Sequence, residues 1–187
     1  IKGSAPFQSP GELCVEGDWS NAAFFLAAKT LGSPLEIEGL NDSKKISEKK
    51  REELYDEIME KAVAVGIGMA SPQRIDEINI LQATYEAMRQ AIEKLSVIPD
   101  ILLNDAVTIP GVSIKQVPII KGDAKSYSIA AASIIAKVTR DRIMKQWDEI
   151  YPEYGFEKHK GYGTKQHMDT LREIGPCEIH RRSFIGF

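Results

Sequence analysis

Cysteine is nearly missing from this chain: 187 residues hold two, Cys14 and Cys177, far apart and without metal-ligand spacing. That excludes a disulfide scaffold and a zinc-type cysteine cluster. Reduced thiols in a cytoplasmic protein account for the pair, with one long-range disulfide as the alternative. Long apolar runs are missing too. None approaches the roughly 18 residues of a membrane span. No basic stretch leads into an apolar segment at the N-terminus, so no signal peptide is expected. Repeats, low-complexity tracts and clear linkers are absent, and 187 residues suit one domain.

Charge of one sign is also in short supply, since the net is −3. Taken alone this argues weakly against a nucleic-acid partner. Its distribution says more. Residues 115–182 carry 13 Lys and Arg against 9 Asp and Glu, and the rest of the chain 11 against 18. The basic residues cluster in "KVTRDRIMK" and "EKHKGYGTK". A basic C-terminal half suits a phosphate backbone; the alternative is a solvated helix face.

What is present alternates between strand and helix patterns. "GELCVEG" predicts a strand and "DWSNAAFFLAAKTLG" a helix, capped by Asp18 or Ser20 and stopped by Gly32. "PLEIEGL" alternates as a strand does. A helix is expected from about Ser47, with Leu54, Ile58 and Met59 on one side, then a strand in "VAVGIGMA". Ser71-Pro72 starts a helix that continues through "INILQATYEAMRQAIEKL", offering Ile80, Tyr85, Met88 and Ile92 to the core. "DILLND" and "KQVPIIK" are strands around the turn "IPGV". A long helix fills "SYSIAAASIIAKVTRDRIMKQWDEIY" up to Pro152, and a short one follows the basic loop "KHKGYGTKQH". The pattern predicts a mixed α/β layer fold.

Two aspartates, Asp105 in "LLNDAV" and Asp123 in "IIKGDAKS", stand where apolar runs stop. On neighbouring strands their carboxylates would face one site. Hard oxygen ligands suit Mg²⁺ or Mn²⁺, and paired ions of that kind drive phosphoryl-oxygen chemistry. Two divalent ions bring four positive charges, so such a site needs more than two carboxylates. The local alternative is a helix cap for Asp123 and a turn role for Asp105.

Read in order, "GLNDSKKISEKKREELYDEI", "LLNDAVTIPGV", "IIKGDAKSYSIAAASIIAKVTRDR", "YPEYGFEKHKGYGTKQH" and "GPCEIHRRSF" resemble bacterial ribonuclease HII over roughly residues 38–187. The resemblance implies a ribonuclease H-like mixed sheet flanked by helices. It also implies Mg²⁺- or Mn²⁺-dependent cleavage of RNA in RNA–DNA hybrids, or beside ribonucleotides embedded in duplex DNA. It makes Asp105 and Asp123 the third and fourth metal-binding, catalytic carboxylates. Tyr162 would stack on the sugar at the DNA–RNA junction, Lys44 would lie near the active site, and Lys158 and Lys160 would meet phosphates. A tyrosine packing on its own domain is the alternative for Tyr162. Asn104 stands where the family more often has an aliphatic residue.

The front of the chain departs from that pattern. The family's D-E-A-G-R-G strand and hairpin, source of its first two carboxylates, does not occur here. Residues 9–40 instead resemble a segment of 5-enolpyruvylshikimate-3-phosphate synthase, carried by "EGDWSNAAFFLAA". The implied architecture is one domain over 1–187. Residues 1–40 form a grafted strand–helix–strand segment and 41–187 the ribonuclease HII-like body. Half the carboxylates would be lost, with activity lost or impaired and metal weakly bound or absent. Glu16 and Asp18, two residues apart on a strand, would share a face and are the possible substitutes; otherwise Asp18 caps a helix and Glu16 is solvated. A replaced hairpin would also leave a sheet edge open to dimerisation.

Overall fold

Small polar residues start most of the helices. The computed structural model describes residues 23–27, as backbone, and residues 46–186. Ser47 Oγ accepts from the Lys50 amide and opens α1 (Glu48–Lys61). Ser71 accepts from Arg74 and opens α2 (Pro72–Ile78), with the proline where no amide is needed. Ser126 opens the long α5 (Tyr127–Ile150), and Thr164 opens α7 (Lys165–Ile174). The helix expected to run on from Ser71 is in fact two. Asn79, at φ 67°, breaks it, and its Oδ1 accepts from Leu81 and Gln82 to start α3 (Ile80–Glu93) afresh. Asparagine tolerates the left-handed region because its short side chain bonds locally.

Strand β1 (Ala23–Ala27) is the largest departure from the sequence pattern. The stretch "DWSNAAFFLAAKTLG" predicts a helix, yet "AFFLA" pairs antiparallel with β2 (Ala64–Gly68), from Ala23 opposite Gly68 to Ala27 opposite Ala64. Alanine and leucine favour helix weakly, and satisfying a neighbouring strand's backbone outweighs that preference. The strands expected in "GELCVEG" and "PLEIEGL", with Glu16, Asp18 and Lys44, lie outside the described residues.

β2 packs on α3 with unusual closeness. A Cβ at Gly66 would sit 2.0 Å from the Ala91 carbonyl oxygen, and one at Gly68 would sit 1.8 Å from that of Ala87. Ala83, Ala87 and Ala91 form the buried stripe of α3. Ile80, Tyr85, Met88 and Ile92, expected in the core, pack around it half-buried. On the other side, Leu54 and Ile58 of α1 meet Ala130, Ala131, Ile134, Ile135 and Val138 of α5, with Val65 and Ile67 of β2 packed against them. Met59 is 42% exposed, not core, because it lies one position further round α1 than Ile58. β3 (Ile101–Asp105) and β4 (Lys115–Ile119) pair in parallel, with Asp105 opposite Ile119. The described residues therefore hold two small sheets flanked by helices, the mixed α/β layering that the sequence predicts.

Gly68→Ala forces either β2 or α3 to move. Urea denaturation is expected to show a loss of about 2 kcal/mol or more, with the fold retained.

Candidate active site

Both strands of the parallel pair end in the same way. β3 leaves through Ala106 (φ 56°) and β4 through Lys121 (φ 56°), each in the left-handed region that costs a non-glycine residue roughly 1 kcal/mol. These turns place Asp105 at the tip of β3 and Asp123 in the one-turn helix α4 (Gly122–Lys125) that follows β4. The Gly122 amide donates to Asp105 Oδ1 at 2.8 Å, so Asp105 touches the residue directly before Asp123. A Cβ there would meet Ile129 Cδ1 at 2.5 Å, so a larger residue would have to push that side chain aside. Asp123 is half-buried and its Oδ1 accepts from Ala124 at 3.0 Å. The cap of the long helix is Ser126, not Asp123, and Asp105 bonds across to the neighbouring connection rather than within its own turn. The parallel register thus brings the two carboxylates to one end of the sheet.

Asn104 holds this end from beneath. It is buried, and its Nδ2 donates to Gln116 Oε1 at 2.9 Å. Gln116 also accepts from the Ile109 amide and donates to the Ile109 carbonyl. This clamp ties both strands to the loop between them, and its signal in the sequence is the polar residue at a strand position facing the core.

Carboxylate oxygens of Asp105 and Asp123 suit a hard divalent cation in kind but not in number. Among the described residues no group of three or more His, Cys, Asp or Glu side chains is arranged to hold a metal.

The second cluster surrounds Tyr162. Lys137 and Arg140, one turn apart on α5, lie over its ring, with Lys137 Nζ at 5.3 Å and the Arg140 guanidinium carbon at 5.8 Å from the centroid. Arg140 Nη2 donates to the Lys160 carbonyl at 3.1 Å, and burial pushes its guanidinium below the usual range. Lys137 is held by Asp141, 2.7 Å away and almost fully buried, which also faces Arg51 at 3.7 Å. The two lysines expected at phosphates differ. Lys158 is exposed, on α6 (Phe156–His159). Lys160 is buried at φ 51°, and its ammonium donates to the Glu157 carbonyl at 2.6 Å, so it braces the loop from within. Sequence reasoning missed Lys137 and Arg140 as neighbours of Tyr162, and Asp141 as the partner of Lys137, although "KVTRDR" carries the spacing that puts Lys137 and Asp141 on one helix face.

A family model for ribonuclease HII matches residues 11–186. The chain is 68% identical over 158 residues to a ribonuclease HII of Lachnoclostridium phytofermentans, covering 84% of this chain and 62% of that protein. It is 60% identical over 149 residues to one of Clostridioides difficile, covering 80% and 58%. The chain spans about three fifths of the length of these curated relatives. In structure it is similar to the ribonuclease H2 of Pyrococcus horikoshii, with a TM-score of 0.64 and 25% identity over 78% of this chain and 77% of that one. It is also similar to the RNase HII of Archaeoglobus fulgidus, solved in a PCNA complex, with a TM-score of 0.61 and 26% identity over 78% of each chain.

Asp141→Ala strands Lys137 and Arg51 beside a vacated, poorly hydrated position. Breaking such a pair is expected to cost about 3 kcal/mol in denaturant unfolding. The chemical shifts of the Tyr162 ring should move with it.

Proposed function

The chain belongs to the ribonuclease HII family, and from that premise we propose that it derives from an endonuclease cutting the RNA strand of RNA–DNA hybrids, in a form whose turnover is strongly impaired. The observation that supports the reading is the bond from the Gly122 amide to Asp105, which ties the end of β3 to the residue directly before Asp123. A divalent ion, when bound, supplies charge neutralisation at the scissile phosphate and a more acidic water. Asp105 and Asp123 are the residues to hold it. Tyr162 packs on a sugar, and Lys137, Arg140 and Lys158 present positive charge to the backbone. The family resemblance adds Lys44, outside the described residues, as a lysine expected near the site.

The impairment follows from the charge balance. Two carboxylates answer half the charge of two divalent ions, and the D-E-A-G-R-G string that supplies the others is not in this sequence. Residues 9–40 are, in this reading, a graft that resembles 5-enolpyruvylshikimate-3-phosphate synthase. Its support is the motif "EGDWSNAAFFLAA" alone. The family model's match from residue 11 weighs on the other side. Core patterning survives such an exchange more readily than ligand placement, which must hold to about half an ångström. Glu16 and Asp18 are the residues to supply carboxylates if turnover persists.

A labelled RNA–DNA hybrid incubated with Mn²⁺ tests this. Cleavage is expected to be weak or absent in the protein and indistinguishable from an Asp105→Asn control. Brisk cleavage that vanishes in the control would sink the impairment. The cations flanking Tyr162 also favour a second reading, binding of nucleic acid without turnover. Salt titrations are then expected to give similar affinities for hybrid and plain DNA, since phosphate contacts carry no sequence or sugar information. A strong preference for hybrid would contradict it.

A further inference from the structure

We propose that His167 and His180 form a hydrogen-bonded strut that positions Tyr162 through its backbone carbonyl; the inference rests on the reading that Tyr162 meets the nucleic acid. All three histidines of the chain gather beside this loop. His180 Nδ1 lies 3.0 Å from the Cys177 amide, which can only donate, so that nitrogen accepts. His180 therefore carries its proton on Nε2, which faces His167 Nε2 at 3.0 Å. His167 Nδ1 lies 2.9 Å from the Tyr162 carbonyl, which can only accept, so His167 carries its proton on Nδ1. The two assignments agree: His180 donates to His167, and His167 donates to Tyr162. Each neutral ring has one allowed tautomer, and every nitrogen is used.

The far end of the strut is fixed. Asp76 of α2 accepts from the Arg182 and Ser183 amides and from the Ser183 hydroxyl, and Gln73 donates to the Glu178 carbonyl. The near end is a turn with its own bonds, Tyr162 to the His159 carbonyl and Thr164 to the Tyr162 carbonyl, both at 2.8 Å. The strut therefore links α2, through the C-terminal segment, to the loop that presents Tyr162 to Lys137 and Arg140.

A second proton on His167 would set two N–H groups against each other at His180. The groups facing the two rings are His159 from α6, stacked on His167 at 4.2 Å, the Cys177 thiol at 3.1 Å from His180, and the Tyr154 and Phe156 rings. Burial raises the pKa of the Cys177 thiol, and Glu153 and Glu178 lie close enough to raise it further. Burial holds His167 down to about 4, against the opposing Tyr162 carbonyl, and holds His180 below its ordinary value. For a depressed histidine, the open state binds protons first. The strut is therefore whole above the ordinary histidine pKa near 6.5 and is lost as pH falls from there toward 4.

Amide hydrogen exchange on the full chain tests the strut. Protection factors at Tyr162 and Thr164 are expected to fall at least tenfold in His180→Phe, which keeps the ring packing but neither bond, while amides in the middle of α5 keep theirs. Unchanged loop protection, or equal loosening throughout, would overturn the proposal. His167→Asn, which restores a donor near Nδ1, should recover the protection that His167→Phe loses; equal loss in both would count against it. On the unaltered protein, nitrogen NMR of the imidazoles should show His167 protonated on Nδ1 and His180 on Nε2 at pH 7, and the opposite tautomers would end the idea. Positioning is separated from simple support by hybrid binding. His180→Phe should weaken hybrid affinity about tenfold, and by nothing further in a Tyr162→Ala background; additive losses refute it. If the unaltered protein binds no hybrid, the functional reading fails, and the exchange and tautomer results still decide the strut.

Discussion

The packing of one helix carries the rest of this molecule. α5 runs 24 residues, roughly 36 Å at 1.5 Å per residue. Its first half buries Ala130, Ala131, Ile134, Ile135 and Val138 against α1 and β2. Alanines at two of those positions let the helix lie close to its neighbours, and that closeness decides where its other side chains arrive. Its N-terminal end abuts α4, which carries Asp123. Its middle carries Lys137 and Arg140 to Tyr162, with Asp141 holding Lys137, and its end gives Met144 and Trp147 to the cluster around Phe156. A shift of α5 along its axis would move the carboxylate end and the tyrosine loop together.

The two ends have different electrostatics. Asp105 is exposed and Asp123 half-buried, and among the described residues each accepts from one backbone amide, which leaves oxygen lone pairs for a cation. The tyrosine end is basic and drier: Arg140 and Lys160 spend donors on backbone carbonyls, and Asp141 is sealed beneath Lys137. Lys137 meets the Asp141 carboxylate, and Arg140 and Lys160 each donate to a backbone carbonyl, which offsets part of the cost of burying them.

Much of the body was legible before any coordinates. Helix starts at Ser47 and Ser71, the proline at 72 and the apolar run ending at Asp105 each act within a few residues, so their outcome follows from local chemistry. The break at Asn79 was missed because the apolar period continues across it, although asparagine itself was the available sign. "AFFLA" was misjudged because its helix preference is weak and its strand pairing is with residues some forty positions away.

The sequence alone determined the element types of residues 46–186 in broad outline, the family resemblance, and the identity of Asp105, Asp123 and Tyr162 as residues worth watching. Tertiary structure decided what Asp105 and Tyr162 touch. Only the parallel register of β3 with β4 puts Asp105 against Gly122, and only the fold of the C-terminal segment brings His180 to His167 and so to Tyr162. The physical reason is common to both. Each contact joins groups 13 or more positions apart, where no turn, cap or helical period operates, and its geometry is set by how buried surfaces fit.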